Sequence, residues 1–154
     1  MLAAAAVLVA TPAHAQGWQR YAIERHGVSF DFPSHVFDLR SAEDKRSGRL
    51  FYSPDRRARL AVFGFANTGN DTPRSFLQKT TDFDAANFTY VRTTPSFVVA
   101  SGTKAGRIFY RRCNFSHASQ RVGCFQLDYP RAEKRRWDGL VTRISHSLRM
   151  SPSS

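Results

Sequence analysis

The stretch Arg107-Ile-Phe-Tyr-Arg-Arg-Cys113-Asn-Phe115-Ser-His-Ala-Ser-Gln-Arg-Val122-Gly-Cys124-Phe-Gln-Leu-Asp-Tyr129-Pro130 decides the fold. Its two halves, Arg107 to Phe115 and Val122 to Tyr129, are rich in aromatic and β-branched residues and flank a polar connector. Pro130, which has no backbone N–H, stops the second half. A hairpin symmetric about Ala118 and Ser119 sets Cys113 opposite Cys124 and Phe115 opposite Val122. In that register Phe109, Cys113, Phe115, Val122 and Cys124 share one face, while Ile108, Tyr110, Phe125, Leu127 and Tyr129 share the other.

Cys113 and Cys124 are the chain's two cysteines. A disulfide between them is expected to stabilise by about 2 to 3 kcal/mol through the loop that it closes. The ten intervening residues do not resemble the Cys-x-x-Cys of a redox pair, and His117 is the sole nearby candidate for a metal site.

Upstream, Trp18 to Ile23 and Val28 to Phe32 read as strands around the turn Glu24-Arg25-His26-Gly27, with Pro33 as the stop. Arg49 to Ser53 and Arg59 to Phe65 form a second hairpin around Pro54 and Asp55. In its second strand Leu60 and Val62 point one way and Ala61, Phe63 and Phe65 the other, so the strand is central. Asp71-Thr72-Pro73 offers an N-cap and a first-turn proline for a helix carrying Phe76, Leu77, Thr80 and Phe83. Phe88 to Thr94 and Phe97 to Thr103 read as a strand pair broken at Pro95, and Lys104-Ala-Gly106 turns the chain into the decisive hairpin. Downstream, Trp137, Leu140, Val141, Ile144 and Leu148 trace one stripe of a closing helix, with Arg136, Arg143, His146 and Arg149 opposite. Hairpins before and after a helix, without strand-helix-strand alternation, give an α+β fold: an antiparallel sheet of about six to eight strands packed by helices.

The chain's 154 residues suit one domain, and 42% hydrophobic residues with 13% aromatics suffice for a dense core. Residues Met1 to Ala15 carry no Lys, Arg, Asp or Glu and run from an apolar stretch into Ala13-His14-Ala15. This reads as a signal peptide cleaved after Ala15, too short to span a bilayer. No Lys or Arg precedes the apolar run, so the basic n-region is expected upstream of Met1. The expected organisation is thus a signal peptide (1–15), a single α+β domain (16–150) and a disordered tail (151–154), in a periplasmic or secreted protein whose cysteines meet an oxidising compartment.

Lys and Arg number 23 against 12 Asp and Glu, a net +11. From Arg107 to Arg149 ten Lys and Arg face three acids, and Arg131, Lys134, Arg135 and Arg136 form the tightest group, placed just before the closing helix. This group is the candidate binding site, able to grip phosphate or carboxylate. Export argues against nucleic acid as the partner. That leaves an anionic envelope component, including a peripheral contact with lipid headgroups, or a protein partner. No His-Glu-x-x-His, Gly-x-Ser-x-Gly or phosphate-loop motif occurs, and neither a catalytic residue nor a metal or other cofactor is assigned. His26, His117 and His146 read as solvated, and Asp31, Asp82 and Asp84 have no spacing that declares a cleft.

Tyr21 with Gly27-Val-Ser-Phe-Asp-Phe-Pro33 and Phe37, then Phe51-Tyr-Ser-Pro-Asp55 with Leu60-Ala-Val62 and Gly64, then Leu127-Asp-Tyr-Pro130 and His146-Ser-Leu-Arg149, are together suggestive. The sequence resembles small exported bacterial proteins of uncharacterised function with a PsbP-like fold. The resemblance implies an antiparallel sheet sandwiched between helices. It leaves function open, because proteins with this architecture include an extrinsic subunit of photosystem II and a binding partner of a small GTPase. The sequence thus favours a non-enzymatic periplasmic accessory or binding protein, with a hydrolase of an envelope polymer as the alternative.

Overall fold

The computed structural model describes residues 17–40, 48–79, 87–118 and 120–151. In chain order the elements are β1 (Trp18–Ile23), β2 (Val28–Pro33), β3 (Leu39–Arg40), β4 (Gly48–Tyr52), β5 (Arg59–Ala66), α1 (Pro73–Lys79), β6 (Phe88–Thr93), β7 (Phe97–Lys104), β8 (Arg107–Ser116), β9 (Arg121–Pro130), α2 (Lys134–Ser147) and β10 (Arg149–Met150). Single 3-10 turns occupy Glu24–His26 and Arg131–Glu133. Seven strands form an antiparallel sheet in the order β3-β4-β5-β9-β8-β7-β6, and β1-β2-β10 form a second, three-stranded one. The class is α+β, as the sequence implies. The first hairpin, however, stands outside the main sheet and covers it.

Cys113 pairs directly with Cys124 and Phe115 with Val122, the register expected from the sequence. The disulfide is formed, with Cα atoms 4.1 Å apart and both residues fully buried. One face of the main sheet gives Leu60, Val62, Ile108, Phe125, Leu127 and Tyr129 to a core completed by Phe30 and Phe32 of β2 and Trp137, Val141 and Ile144 of α2. The other face packs the disulfide, Val98, Phe115 and Val122 against Phe63, Phe65 and the α1 residues Phe76 and Leu77. β5 lies between β4 and β9 with apolar groups on both sides, as a central strand must.

Local chemistry explains the boundaries. Thr72 caps α1 by accepting from the Ser75 amide (3.1 Å), and Ser75 Oγ accepts from the Thr72 amide (3.0 Å), while Asp71 reaches Lys79 (2.6 Å). The expected continuation of this helix through Thr80 and Phe83 lies outside the described residues. So do the signal peptide and residues 152–154. Ser151, first residue of the expected tail, donates its amide to the Gly27 carbonyl (2.7 Å). α2 begins three residues before Trp137, so Lys134, Arg135 and Arg136 belong to its first turn instead of preceding it.

The small sheet can close on the main one because two glycines face each other across β5 and β9, Gly64 against Gly123. A Cβ on Gly123 would lie 2.5 Å from Met150 Sδ and 2.6 Å from a Val28 methyl. The methionine can swing aside, but the β-branched valine is stiff. Gly123→Ala is expected to cost about 1–3 kcal/mol in urea denaturation. Together with Val28→Ala the loss should fall short of the sum of the two singles; strict additivity would contradict a Val28 clash. Reduction of the disulfide, or its replacement by paired alanines, should lower stability by about 2–3 kcal/mol, measured by denaturation with and without reductant. Tyr129 is 3% exposed and stacks on Trp137 at 5.5 Å. Burial, with Asp138 and Tyr110 adding, pushes its phenol pKa up to about 12 from 10.0. The folded state therefore holds this proton more tightly than the unfolded state. Its contribution is intact below about pH 10 and is lost as pH rises through about 12. Tyr129→Phe should flatten that alkaline loss in pH-resolved denaturation; an unchanged slope would contradict it.

Candidate functional site

The four cations singled out in the sequence do not converge. Arg131 sits in the 3-10 turn, and Lys134, Arg135 and Arg136 occupy the helix end whose dipole disfavours positive charge. Carboxylates offset part of that cost. Lys134 Nζ lies 2.8 Å from Asp138, and Arg136 lies 3.8 Å from Glu133, which also receives Arg57 at 2.7 Å. The Arg136 guanidinium further stands 5.6 Å from the centre of the Trp137 ring. Arg131 and Lys134 border one groove and Arg136 another, beside Ser53, Asp55 and Trp137, while Arg135 is exposed and lines neither.

The first groove is a trough of about 430 Å³ between α2 and strands β6 to β9. Ser101, Thr103, Tyr110, Tyr129 and Thr142 give it hydroxyl groups, and Arg131 and Lys134 form a cationic lip. Pairing registers show what lies beyond. Tyr90, Ser101 and Tyr110 make one cross-strand row, and Arg92, Val99 and Arg112 make the next on the same face. Phe97 and Asn114 follow in a third row. Tyr110 belongs both to the trough and to this further end: its hydroxyl is 2.9 Å from Ser145 Oγ of α2, which Arg112 Nη1 also approaches at 3.4 Å.

At that end three guanidinium groups gather. The ring of Phe97 carries Arg112 at 4.3 Å and Arg92 at 5.5 Å. Arg112 Nε donates to Asn114 Oδ1 (2.8 Å), and Asn114 Nδ2 donates to the Leu148 carbonyl (3.1 Å). Arg149 Nη1 donates to that same carbonyl (3.1 Å) and to the His146 carbonyl, capping the C-terminus of α2. Among the described residues none of the three arginines forms an ion pair. Arg112 is half-buried, and burial holds its pKa below the usual guanidinium value, with Arg149 and Arg92 acting in the same direction and Tyr110 opposing.

Sequence reasoning counted Arg112 and Arg149 as part of the basic surface but did not single them out, and it passed over Arg92. The available signal was the doublet Arg111-Arg112 inside a strand, because alternation must send one of the two toward the face that α2 covers. Arg111 goes the other way and donates twice to Gln126 Oε1, at 3.1 and 2.8 Å.

The remaining candidates stay apart. His35 and His117 contact the Gly17 and Pro95 carbonyls, His26 lies in the first 3-10 turn, and His146 is exposed on α2. Asp31 is held by Arg20 at 2.9 Å, and Asp82 and Asp84 lie outside the described residues. Among the described residues no group of three or more His, Cys, Asp or Glu is placed to hold a metal ion, and no helix is long and apolar enough to cross a membrane.

The sequence matches no family profile, and no curated protein matches it. Solved structures do match in shape. The solution structure of cyanobacterial PsbP (CyanoP) from Synechocystis sp. PCC 6803 superposes with a TM-score of 0.64 at 12% identity, covering 92% of this chain and 96% of that one. A crystal structure from Bacteroides thetaiotaomicron gives 0.51 at 14% identity, covering 82% of this chain and 46% of the other. LpqN of Mycobacterium tuberculosis, described as involved in cell envelope biogenesis, gives 0.49 at 13% identity, over 90% and 88% of the two chains. The main sheet with α1 on one face and α2 on the other is thus a PsbP-like fold.

Proposed function

We propose that this chain is an exported, non-enzymatic accessory protein of the cell envelope that docks on an anionic component through the face carrying α2. The observation that supports this most directly is the distribution of charge along that face. A cationic lip at Arg131 and Lys134 opens a hydroxyl-lined trough, and three more arginines lie beyond its Tyr110 end. The disulfide suits an oxidising compartment. In this reading Arg131, Lys134, Arg135 and Arg136 act together as an electrostatic landing surface. Two of them are partly neutralised by Asp138 and Glu133, so they steer and orient the partner more than they grip it.

The test is co-sedimentation of the oxidised protein with anionic and neutral lipid vesicles across a salt series, beside a variant with Arg131, Lys134, Arg135 and Arg136 changed to Gln. Each basic group near an anionic surface adds about 1 kcal/mol, so the variant should bind at least about tenfold more weakly. Retention restricted to anionic vesicles and lost with salt is the expected result. No retention of the parent protein at any salt would remove the anionic surface from the reading and leave a protein partner.

A further inference from the structure

We propose that Arg92, Arg112 and Arg149 form a binding site for a phosphate group, beyond the Tyr110 end of the trough and away from Arg131. The proposal rests on the docking reading above and assigns the recognising site to residues other than the four cations of the landing surface. Three elements deliver the three guanidinium groups: β6, β8 and β10. Arg92 and Arg112 lie two strands apart in one register row and share the Phe97 ring, at 5.5 and 4.3 Å. Arg149 is tied to Arg112 through Asn114, since Asn114 accepts from Arg112 and donates to the carbonyl that Arg149 also caps.

Arg112 is the centre of the site. Asn114 and Ser145 take its Nε and one Nη1 proton, which fixes the plane of the fork. Among the described residues its Nη2 makes no hydrogen bond. A half-buried guanidinium beside two other cations, with no ion pair among the described residues, is an arrangement that an anion relieves. Donors carried by three separate elements suit a tetrahedral group, which offers an oxygen to each, better than a planar carboxylate. Tyr90 and Tyr110 lie in the next row, with the Tyr110 hydroxyl held on Ser145, so a phosphate ester has aromatic surface and the trough beside it for the rest of its body. The phosphate can be that of a lipid headgroup or of a soluble phosphate ester.

The site is tested by following amide NMR shifts of the oxidised full chain during titration with inorganic phosphate and pyrophosphate. Sedimentation with phosphatidylglycerol vesicles runs in parallel. The variants are Arg92→Gln, at an exposed position on an edge strand, and Arg112→Lys, which keeps the charge and loses the fork. The expected result is shifts centred on Arg92, Phe97, Arg112, Asn114 and Arg149, with pyrophosphate affinity falling about tenfold in each variant, the effect of one charge-assisted hydrogen bond. Binding of both phosphate probes and vesicles with the same dependence on Arg92 and Arg112 supports a lipid headgroup. Binding of the soluble probes alone supports a soluble ester. Shifts confined to residues 131–136 and unchanged in both variants would overturn this site while leaving the docking reading intact. Failure of every phosphate probe and of the vesicles would overturn both.

Discussion

A one-residue slip between β8 and β9 would part Cys113 from Cys124 and reverse the faces of one strand relative to the other. Either Phe125, Leu127 and Tyr129 would leave the core beneath α2, or Cys113 would turn away from the layer under α1. The buried disulfide between directly opposed residues excludes that slip. Because β5 pairs with β9 and β7 with β8, the register spreads outward through both neighbours. The row that sets Arg92 level with Arg112 is built outward from the cross-linked hairpin by the β7–β8 and β6–β7 pairings. Geometry at the phosphate site and geometry at the core share β8.

A second constraint comes from the chain's return. After α2 the backbone pairs β10 with β2, Ser147 Oγ accepts from the Asp31 amide (2.8 Å), and the Ser151 amide reaches the Gly27 carbonyl. These contacts hold the small sheet against Gly64 and Gly123, where any side chain would intrude. They also place Arg149 at the end of α2, beside Asn114. A last strand of two residues is thus what carries a distant arginine to the site.

Much of this was legible in the sequence. Alternation gave the faces of β5, β8 and β9, the apolar stripe gave α2, and Gly27 and Gly106, both at positive φ, gave two of the turns. Residues of β3 and β10 escaped because two positions carry no period. The first hairpin was legible, but its membership of a separate sheet was not, since that depends on which surface two glycines leave open. The way the basic cluster is spread was not legible for a related reason. Neighbours on a helix point about 100° apart, so four cations close in sequence spread over different surfaces. Arg92, Arg112 and Arg149 are distant in sequence, and pairing alone assembles them.

The excess of positive charge does not account for them. Nineteen of the 23 basic residues are arginine, and a compositional preference of that kind adds cations wherever they cost little, at exposed positions and beside acids. Arg20, Arg57, Arg59 and Arg136 fit that description, each with a carboxylate partner. Arg112 does not. It is half-buried, its guanidinium is oriented by Asn114 and Ser145, and the nearest strong charges are cations. Desolvating a cation beside other cations lowers stability, and such a cost persists where the surrounding structure fixes the group for another purpose. Total charge makes this protein attractive to anions in general. Arg112 adds to that general attraction a charge held in place by Asn114 and Ser145 beside Arg92 and Arg149, with no ion pair among the described residues.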